Sequence, residues 1–281
     1  MRKTLLLAIL PLLLLFACED DFTAPAYQKK IVVDGWIEPN QPAMVLLTYS
    51  APYFENIDSA SLRQLMLNTA KVVVSSGEDE EILSLGYNDQ YFPPYIYKGN
   101  TIRGQIGNTY TLTIISYGDT ITSTTTIPSK ITLDSIWFKP LQGSDTLGTL
   151  MVRFSDPAGE RNYYRFMTRR IGIDQNWVPA YLANMSDVVF NGQTVDLAIL
   201  KGNENPLFHE DQIYFERGDT IRFKLSNMDK STFEFWSSVQ KELSKNDNPF
   251  SSTIVEIKSN IRGGLGLWAG YGISQYQLIV P

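Results

Sequence analysis

Cysteine and histidine are almost missing from this sequence. One Cys and one His occur among its 281 residues. A disulfide framework needs cysteines in pairs, and a zinc site normally needs several Cys or His ligands. Both kinds of site are therefore excluded, and no cofactor is expected. The single imidazole, His209, is followed by Glu210 and Asp211 and is expected to be a solvated loop residue rather than a catalytic base.

Positive charge is also scarce. The chain has 24 Lys and Arg residues against 30 Asp and Glu residues, a net charge of −6. A general nucleic-acid binder needs an excess of basic side chains to neutralise phosphates, so that class is excluded. The apolar content of 43% is too high for a disordered chain. At roughly 100–200 residues per domain, the length indicates one large or two modest domains.

Long hydrophobic runs are missing except at the start, where residues 5–17 are apolar. As a helix this run would span about 20 Å, less than the roughly 30 Å core of a bilayer. It follows Arg2 and Lys3, so residues 1–17 are interpreted as a signal peptide. The run ends in Ala17 and Cys18, and this ending resembles a bacterial lipobox. We expect diacylglycerol on the Cys18 thiol, and two or three acyl chains would anchor the protein stably.

Acidic residues follow the cysteine directly. Residues 18–26 are expected to form a lipidated acidic tether, and Glu19, Asp20 and Asp21 resemble the surface-export signal of Bacteroidota lipoproteins. The alternative is a solvated tether that is acidic for no further reason. The expected location is the outer membrane, with attachment through Cys18 and the outward-facing leaflet favoured.

An alternation of apolar and polar residues dominates the rest of the chain. It predicts a mainly β protein, with an immunoglobulin-like sandwich over residues 27–128 and a larger β-rich domain over 129–281. Residues 77–81 are expected to be a hairpin tip with its acids in water. One helix is predicted near residues 230–245, capped by Asp229. A strand is predicted at 254–258.

Two aromatic segments are the candidates for ligand or partner contact. Residues 91–97 contain Tyr91, Tyr95 and Tyr97 around two prolines, which should keep the backbone extended and outside the interior of a sheet. Trp177 stands in a second segment of this kind. These rings could stack on a sugar or a partner loop, or they could cover the sandwich edge as packing.

A glycine-rich segment near the C-terminus formally matches a dinucleotide-binding pattern. It consists of Gly264, Gly266 and Ala269, but the motif needs a following helix and an acidic residue about 20 positions on. No acidic residue follows Ala269. A dinucleotide-binding role is therefore rejected. We expect these glycines to allow a bulge or a close backbone crossing instead.

Four groups of residues together resemble an uncharacterised family of Bacteroidota lipoproteins, catalogued as domain of unknown function four-two-four-nine. They are VVDGWI at 32–37, FSDP at 154–157 with NYY at 162–164, Asp187 with FNG at 190–192, and NPF at 248–250 with SNIRGGLG at 259–266. The resemblance implies an envelope lipoprotein, often encoded near TonB-dependent outer-membrane receptors. It implies no catalytic residues.

The resulting expectation is a non-enzymatic accessory or ligand-capturing subunit beside a TonB-dependent receptor. Two alternatives stay open. One is a surface glycoside or peptide hydrolase, which for glycosides would use a pair of carboxylates held about 5–10 Å apart. The other is a structural adhesin or envelope spacer.

Overall fold

The computed structural model describes residues 27–52, 58–202, 213–244 and 256–281. Cys18, the acidic residues 19–21 and His209 lie outside these ranges, as do the predicted signal peptide and tether. Within the described ranges, no helix is both long enough and apolar enough to cross a bilayer.

The chain before residue 128 forms strands with one short helix, as the alternating pattern predicts. The elements are β1 (Ile31–Ile37), β2 (Pro42–Tyr49), α1 (Ser59–Gln64), β3 (Lys71–Ser76), β4 (Asp79–Ile82), β5 (Ser84–Tyr87), β6 (Tyr95–Arg103), β7 (Thr109–Ser116) and β8 (Asp119–Thr126).

The chain after residue 128 is also mostly strand, with one longer helix. Its elements are β9 (Leu133–Pro140), β10 (Leu147–Ser155), β11 (Tyr163–Arg170), β12 (Val178–Ser186), a 3-10 helix (Asp187–Val189), β13 (Thr194–Ile199), β14 (Phe215–Glu216), β15 (Thr220–Met228), α2 (Lys230–Leu243), β16 (Leu265–Gly270) and β17 (Gly272–Ile279). The predicted mainly β fold with one packed helix is confirmed.

Two sheets enclose the first core. A five-stranded sheet has the order β16-β1-β2-β6-β5, and a four-stranded sheet has the order β4-β3-β7-β8. Alternate residues of each strand face the space between them, for example Val33 in β1, Val72 in β3 and Leu112 in β7, all fully buried or nearly so. This arrangement is a β-sandwich, held by the apolar area that it removes from water.

The second core lies between two further sheets. One has the order β12-β11-β15-β17, and the other has β13-β10-β14 with β9 paired to β10. Tyr164, Phe166 and Phe223 are buried between them, together with Phe154. Because strand residues alternate between faces, the neighbours Arg165 and Lys224 point away from this core.

The strand β16 joins the first core although it comes late in the chain. It pairs in parallel with β1, from Val32 opposite Leu265 to Ile37 opposite Gly270. Its Trp268 is fully buried in the first core. The predicted division at residue 128 therefore does not describe residues 265–270. The strand predicted at 254–258 is also wrong for 256–258, which are irregular, and 254–255 lie outside the described ranges.

The helix α2 begins at the predicted cap. The Asp229 carboxylate accepts a hydrogen bond from the backbone N–H of Thr232 at 2.8 Å, which satisfies one of the unpaired donors of the first turn. The helix contacts β11, β12 and β16. Phe233 lies against Tyr163 with 4.9 Å between ring centroids. Leu243, which the spacing places on the packed side, is instead 64% exposed.

One acid of the predicted hairpin tip is buried. The turn is shorter than expected, so β4 begins at Asp79, and alternation turns the Glu81 side chain inward. Its carboxylate accepts the backbone N–H groups of Thr101 at 2.9 Å, Ile102 at 2.8 Å and also Asn100. Desolvation pushes the Glu81 pKa up, but these three donors outweigh it and hold the pKa below its ordinary value.

Glu81 should make the stability of the protein depend on pH. Because its pKa is lower in the folded state, it stabilises the fold above the ordinary glutamate pKa of about 4.3. That contribution is lost as the pH falls through the folded pKa. We expect Glu81→Gln to lower the free energy of unfolding at pH 7 by about 1–3 kcal/mol and to flatten its acid dependence. Urea unfolding across pH measures both.

The matched control is Glu80→Gln, since Glu80 is the exposed neighbour on the same strand. This variant should keep the unfolding free energy and its pH profile within about 0.5 kcal/mol of the parent. Equal effects of the two variants would contradict a specific role for the Glu81 carboxylate.

Candidate functional site

A cavity of about 930 Å³ lies between the outer faces of two sheets. One wall is the β1 side of the five-stranded sheet, and the other is the β11–β15 side of the sheet β12-β11-β15-β17. The helix α2 and the loops at 89–92 and 175–177 complete the lining. The lining residues are Asp34, Gly35, Trp36, Glu38, Leu46, Asp89, Gln90, Tyr91, Phe92, Arg165, Met167, Arg169, Gln175, Asn176, Trp177, Lys224, Ser226, Trp236 and Tyr271.

The strand β1 supplies the first wall through its alternation. Val33, Gly35 and Ile37 are buried on the side of the first core. The residues between them therefore face outward, so Asp34 and Trp36 point into the cavity. The cavity wall is thus the back of the strand that builds the first core.

The strands β11 and β15 supply the second wall in the same way. Arg165 lies opposite Ser226 in the ladder, and Met167 lies opposite Lys224. All four line the cavity, while their neighbours in sequence fill the second core. Arg169 extends the row along β11.

The charged residues of the two walls have opposite signs. The acids that line the cavity are Asp34, Glu38 and Asp89, and all belong to the first unit. The bases are Arg165, Arg169 and Lys224, and all belong to the second. A ligand between the walls would therefore meet a carboxylate side and a cationic side.

Arg165 is the most constrained charge of the site. It is 6% exposed, and its guanidinium lies over the Trp236 ring at 3.8 Å from the centroid. One nitrogen donates to Asn184 Oδ1 at 2.7 Å, and the Asn184 amide donates to Gln240 Oε1 at 2.8 Å. Burial lowers the Arg165 pKa to about 10, against the opposing influence of Tyr271 and Asp34. The side chain remains cationic at neutral pH.

Asp34 faces Arg165 from the other wall. Solvent reaches its side chain from within the cavity, although protein surrounds it on most sides. Burial raises its pKa, and the attraction of Arg165 offsets part of that rise. A further cation placed close to this carboxyl would lower the free energy of its charged form.

Lys224 and the aromatic rings connect the two walls. The Lys224 Nζ lies 3.6 Å from Glu38 Oε1 and 4.8 Å from the centre of the Trp177 ring. On the first wall, Trp36 and Tyr91 have ring centroids 5.8 Å apart. Burial raises the Tyr91 pKa, and the nearby carboxylates Glu38 and Asp34 add to the rise. Tyr91 is therefore a neutral phenol at physiological pH.

Tyr271 closes the cavity from the chain that links β16 to β17. Its hydroxyl accepts a hydrogen bond from Trp236 Nε1 at 2.8 Å. Burial raises its pKa far above the ordinary value, so it too stays protonated. The arrangement can hold a polar ligand with ring or apolar parts, since aromatic faces and charged groups alternate around it.

The model of a family described as domain of unknown function (DUF4249) matches residues 19–277. This match covers nearly the whole chain. The protein belongs to the DUF4249 family. No curated protein matches the chain at a significant level. The resemblance that the four sequence segments indicated is confirmed.

Most of the segments that carry the DUF4249 resemblance have structural roles. The Asp187 carboxylate, fully buried, accepts from Arg161 at 2.9 Å and from the Asn162 backbone N–H at 2.8 Å. Asp156 accepts from the Tyr164 hydroxyl and from the Gly192 N–H. These bonds fix the loops at one end of the second core. Among the segments that the structure describes, only 32–37 also reaches the cavity, and residues 248–250 lie outside the described ranges.

The aromatic residues predicted as contacts in this DUF4249 chain divide into three groups. Tyr91 and Trp177 lie in different segments, and both line the cavity. Tyr95 is 37% exposed beside Tyr87, outside the cavity lining. Tyr97 is 3% exposed in the first core, and its hydroxyl accepts from the Ala70 N–H at 3.1 Å, so it offers no surface for a ligand.

Residues 91–97 were expected to stay outside the interior of a sheet, and for residues 95–97 this prediction was wrong. The prolines Pro93 and Pro94 precede β6 rather than interrupt it. The strand begins at Tyr95 and pairs with both β2 and β5. It is therefore an interior strand, and this position explains why Tyr97 is buried.

Sequence reasoning missed the charged residues of the site, chiefly Asp34, Arg165 and Lys224. Each is a charged residue on the polar side of an apolar alternation, which by itself only predicts exposure to solvent. Nothing in the sequence indicated that two such faces would meet. Among the described residues, no group of three or more His, Cys, Asp or Glu side chains could hold a metal ion. His209 lies outside those ranges.

Proposed function

We propose that this protein is a lipid-anchored outer-membrane lipoprotein that captures a ligand for a TonB-dependent transport system without itself catalysing a reaction. The observation that carries the proposal is the cavity between the two units, with aromatic rings on both walls and charges of both signs. Its volume lies within the range of small-ligand sites, which combine aromatic and apolar side chains with a few polar groups that orient the ligand.

The cations that face the acids favour capture over hydrolysis. A glycosidase needs a pair of carboxyl groups about 5–10 Å apart, one of which donates a proton. Asp34 faces Arg165, whose positive charge favours the carboxylate form of Asp34. Glu38 is also paired with Lys224 at 3.6 Å, which stabilises its charged form rather than that of a proton donor.

The anchor rests on the sequence before the described residues. The apolar run at 5–17 ending at Cys18 supports lipidation of that thiol. Glu19, Asp20 and Asp21 support export to the outer face of the outer membrane. In this location the cavity would meet external solutes, and the nearby receptor would carry them inward.

Contact with the receptor is proposed for the exposed aromatic residues near the cavity mouth. Phe92 is 69% exposed and lines the cavity. Tyr87, also 69% exposed, lines a smaller groove together with Phe92, and its ring centroid lies 5.7 Å from that of Tyr95. Tyrosine and phenylalanine are frequent in such interfaces because they bury a large area at low conformational cost.

Replacing Cys18 by serine tests the proposal. The change removes the acyl chains, each of which contributes about 0.8 kcal/mol per buried CH₂, so we expect the protein to leave the membrane fraction. A TonB-dependent receptor should co-purify in mild detergent with the parent protein and should be lost or strongly reduced with Cys18→Ser. Fractionation and mass spectrometry of the purified complex measure both results.

The control is the double variant Asp20→Ala and Asp21→Ala, which keeps the lipidated thiol. It should remain with membranes but become resistant to protease added outside the cell. If Cys18→Ser stays in the membrane fraction as the parent does, the anchor is wrong. If no TonB-dependent receptor co-purifies with the parent protein, the proposed partnership with such a receptor is wrong.

A further inference from the structure

One wall of the cavity carries acidic residues and the other carries basic residues, and this separation limits the chemical class of ligand that fits. We infer that the cavity binds a short peptide with a free N-terminal ammonium and a free C-terminal carboxylate, an inference that rests on the proposed ligand-capturing function. The first wall supplies Asp34, Glu38 and Asp89, and the second supplies Arg165, Arg169 and Lys224. A zwitterion placed between the walls can satisfy both.

The carboxylate end fits Arg165. A guanidinium has five N–H donors, and among the described residues Arg165 uses one of them, in its hydrogen bond to Asn184. Its stacking on Trp236 at 3.8 Å fixes the plane of the group. The donors that remain can bind a carboxylate through two parallel hydrogen bonds, the geometry in which arginine binds anions most strongly. Arg169 adds positive charge on the same strand.

The ammonium end fits Asp34. Asp34 lines the first wall opposite Arg165, and its side chain is exposed to solvent in the cavity. An ammonium in the cavity can therefore reach this carboxylate and form a charge-assisted contact with it. Glu38 is less suitable because Lys224 already lies 3.6 Å away.

The middle of the cavity fits an apolar or aromatic side chain. Trp36 and Tyr91 lie on the first wall, and Trp177 and Trp236 belong to the opposite side. A neutral oligosaccharide would also stack on these rings, but it has no ionic group to pair with Asp34 or Arg165. The charge pattern therefore favours the zwitterion over the sugar.

Isothermal titration of the full chain in detergent tests this inference. The probe is the tripeptide Ala-Phe-Ala with free termini, compared with its N-acetylated form, its C-terminal amide and maltotriose. We expect the free peptide to bind and each blocked form to bind about tenfold more weakly or worse, since each block removes one charge-assisted contact. Maltotriose should neither bind measurably nor be cleaved to shorter sugars.

Two variants assign the ends of the ligand. Asp34→Asn should weaken the free peptide about tenfold while leaving the affinity of the N-acetylated peptide unchanged. Arg165→Lys keeps the positive charge but loses the planar fork, so it should weaken the free peptide and leave the C-terminal amide unchanged. Asp79→Asn and Arg103→Gln, both at exposed positions away from the lining, are the matched controls and should bind like the parent.

Circular dichroism and urea unfolding show whether each variant is folded. If Arg165→Lys is misfolded, Arg169→Gln replaces it as the test of the cationic wall. Equal binding of free and blocked peptides, binding of maltotriose instead, or normal binding by a folded Asp34→Asn would overturn the inference. The co-purification of a receptor is independent of these titrations. If the peptide titrations fail but a receptor still co-purifies, the inferred peptide ligand is wrong, and the proposed capturing function stands with another ligand.

Discussion

Replacing Trp268 by alanine is expected to lower the free energy of unfolding by about 3–5 kcal/mol. The indole is fully buried in the first core, and its Nε1 donates to the Tyr110 carbonyl at 3.0 Å. Alanine would leave a large cavity and remove the donor to that carbonyl. Because Trp268 lies in β16, the loss should also loosen the pairing of β16 with β1. Urea or thermal unfolding followed by circular dichroism measures the change.

Trp177→Ala is the matched control, since it makes the same substitution at a half-buried position in the cavity lining. It should reduce stability by about 1 kcal/mol or less and should instead weaken ligand binding. A Trp268→Ala protein as stable as the Trp177→Ala protein would contradict the assignment of β16 to the first core.

Individual strands could be predicted from the sequence because the alternation of apolar and polar residues is a property of each short segment. The alternation in residues 31–37 is enough to predict β1, and the start of α2 follows from the Asp229 cap. The parallel pairing of β16 with β1 could not be predicted in this way. It joins residues more than 200 positions apart, and neither strand contains a local sequence pattern that identifies the other as its partner.

No cavity was predicted from the sequence, although two of the candidate contact residues, Tyr91 and Trp177, line the one observed. They were candidates because neighbouring prolines were expected to keep their segments outside the interior of a sheet, where aromatic rings can contact a ligand. Asp34 and Arg165 were not recognised, since an outward charge on a strand normally faces water. They become a site only because the outer faces of β1 and β11 lie opposite each other.

The short link between β16 and β17 explains how those faces are held opposite. β16 ends at Gly270 in the first sheet, and β17 begins at Gly272 in the other sheet. The residue between them, Tyr271, donates its N–H to the Ile37 carbonyl at 3.1 Å and places its ring in the cavity. One residue thus links a strand in each wall. This direct link helps to hold the outer faces of the two sheets opposite each other across the cavity.

The same region contains a glycine whose replacement should be strongly destabilising. Gly266 has φ +105°, a conformation that side chains rarely adopt, and a Cβ there would lie 1.9 Å from the Val33 carbonyl oxygen. The expected close backbone crossing is confirmed at this position. Gly266→Ala must therefore move β16 away from β1 or distort both strands.

We expect Gly266→Ala to cost about 3–5 kcal/mol of unfolding free energy and to reduce ligand binding, because a displaced β16 also displaces Tyr271. Gly86→Ala is the control, since Gly86 lies in the strand β5 and a Cβ there would meet nothing within 4 Å. That variant should stay within about 0.5 kcal/mol of the parent. Unfolding and peptide titration on both variants check the result. If Gly266→Ala is as stable as Gly86→Ala, the close approach of β16 to β1 is wrong.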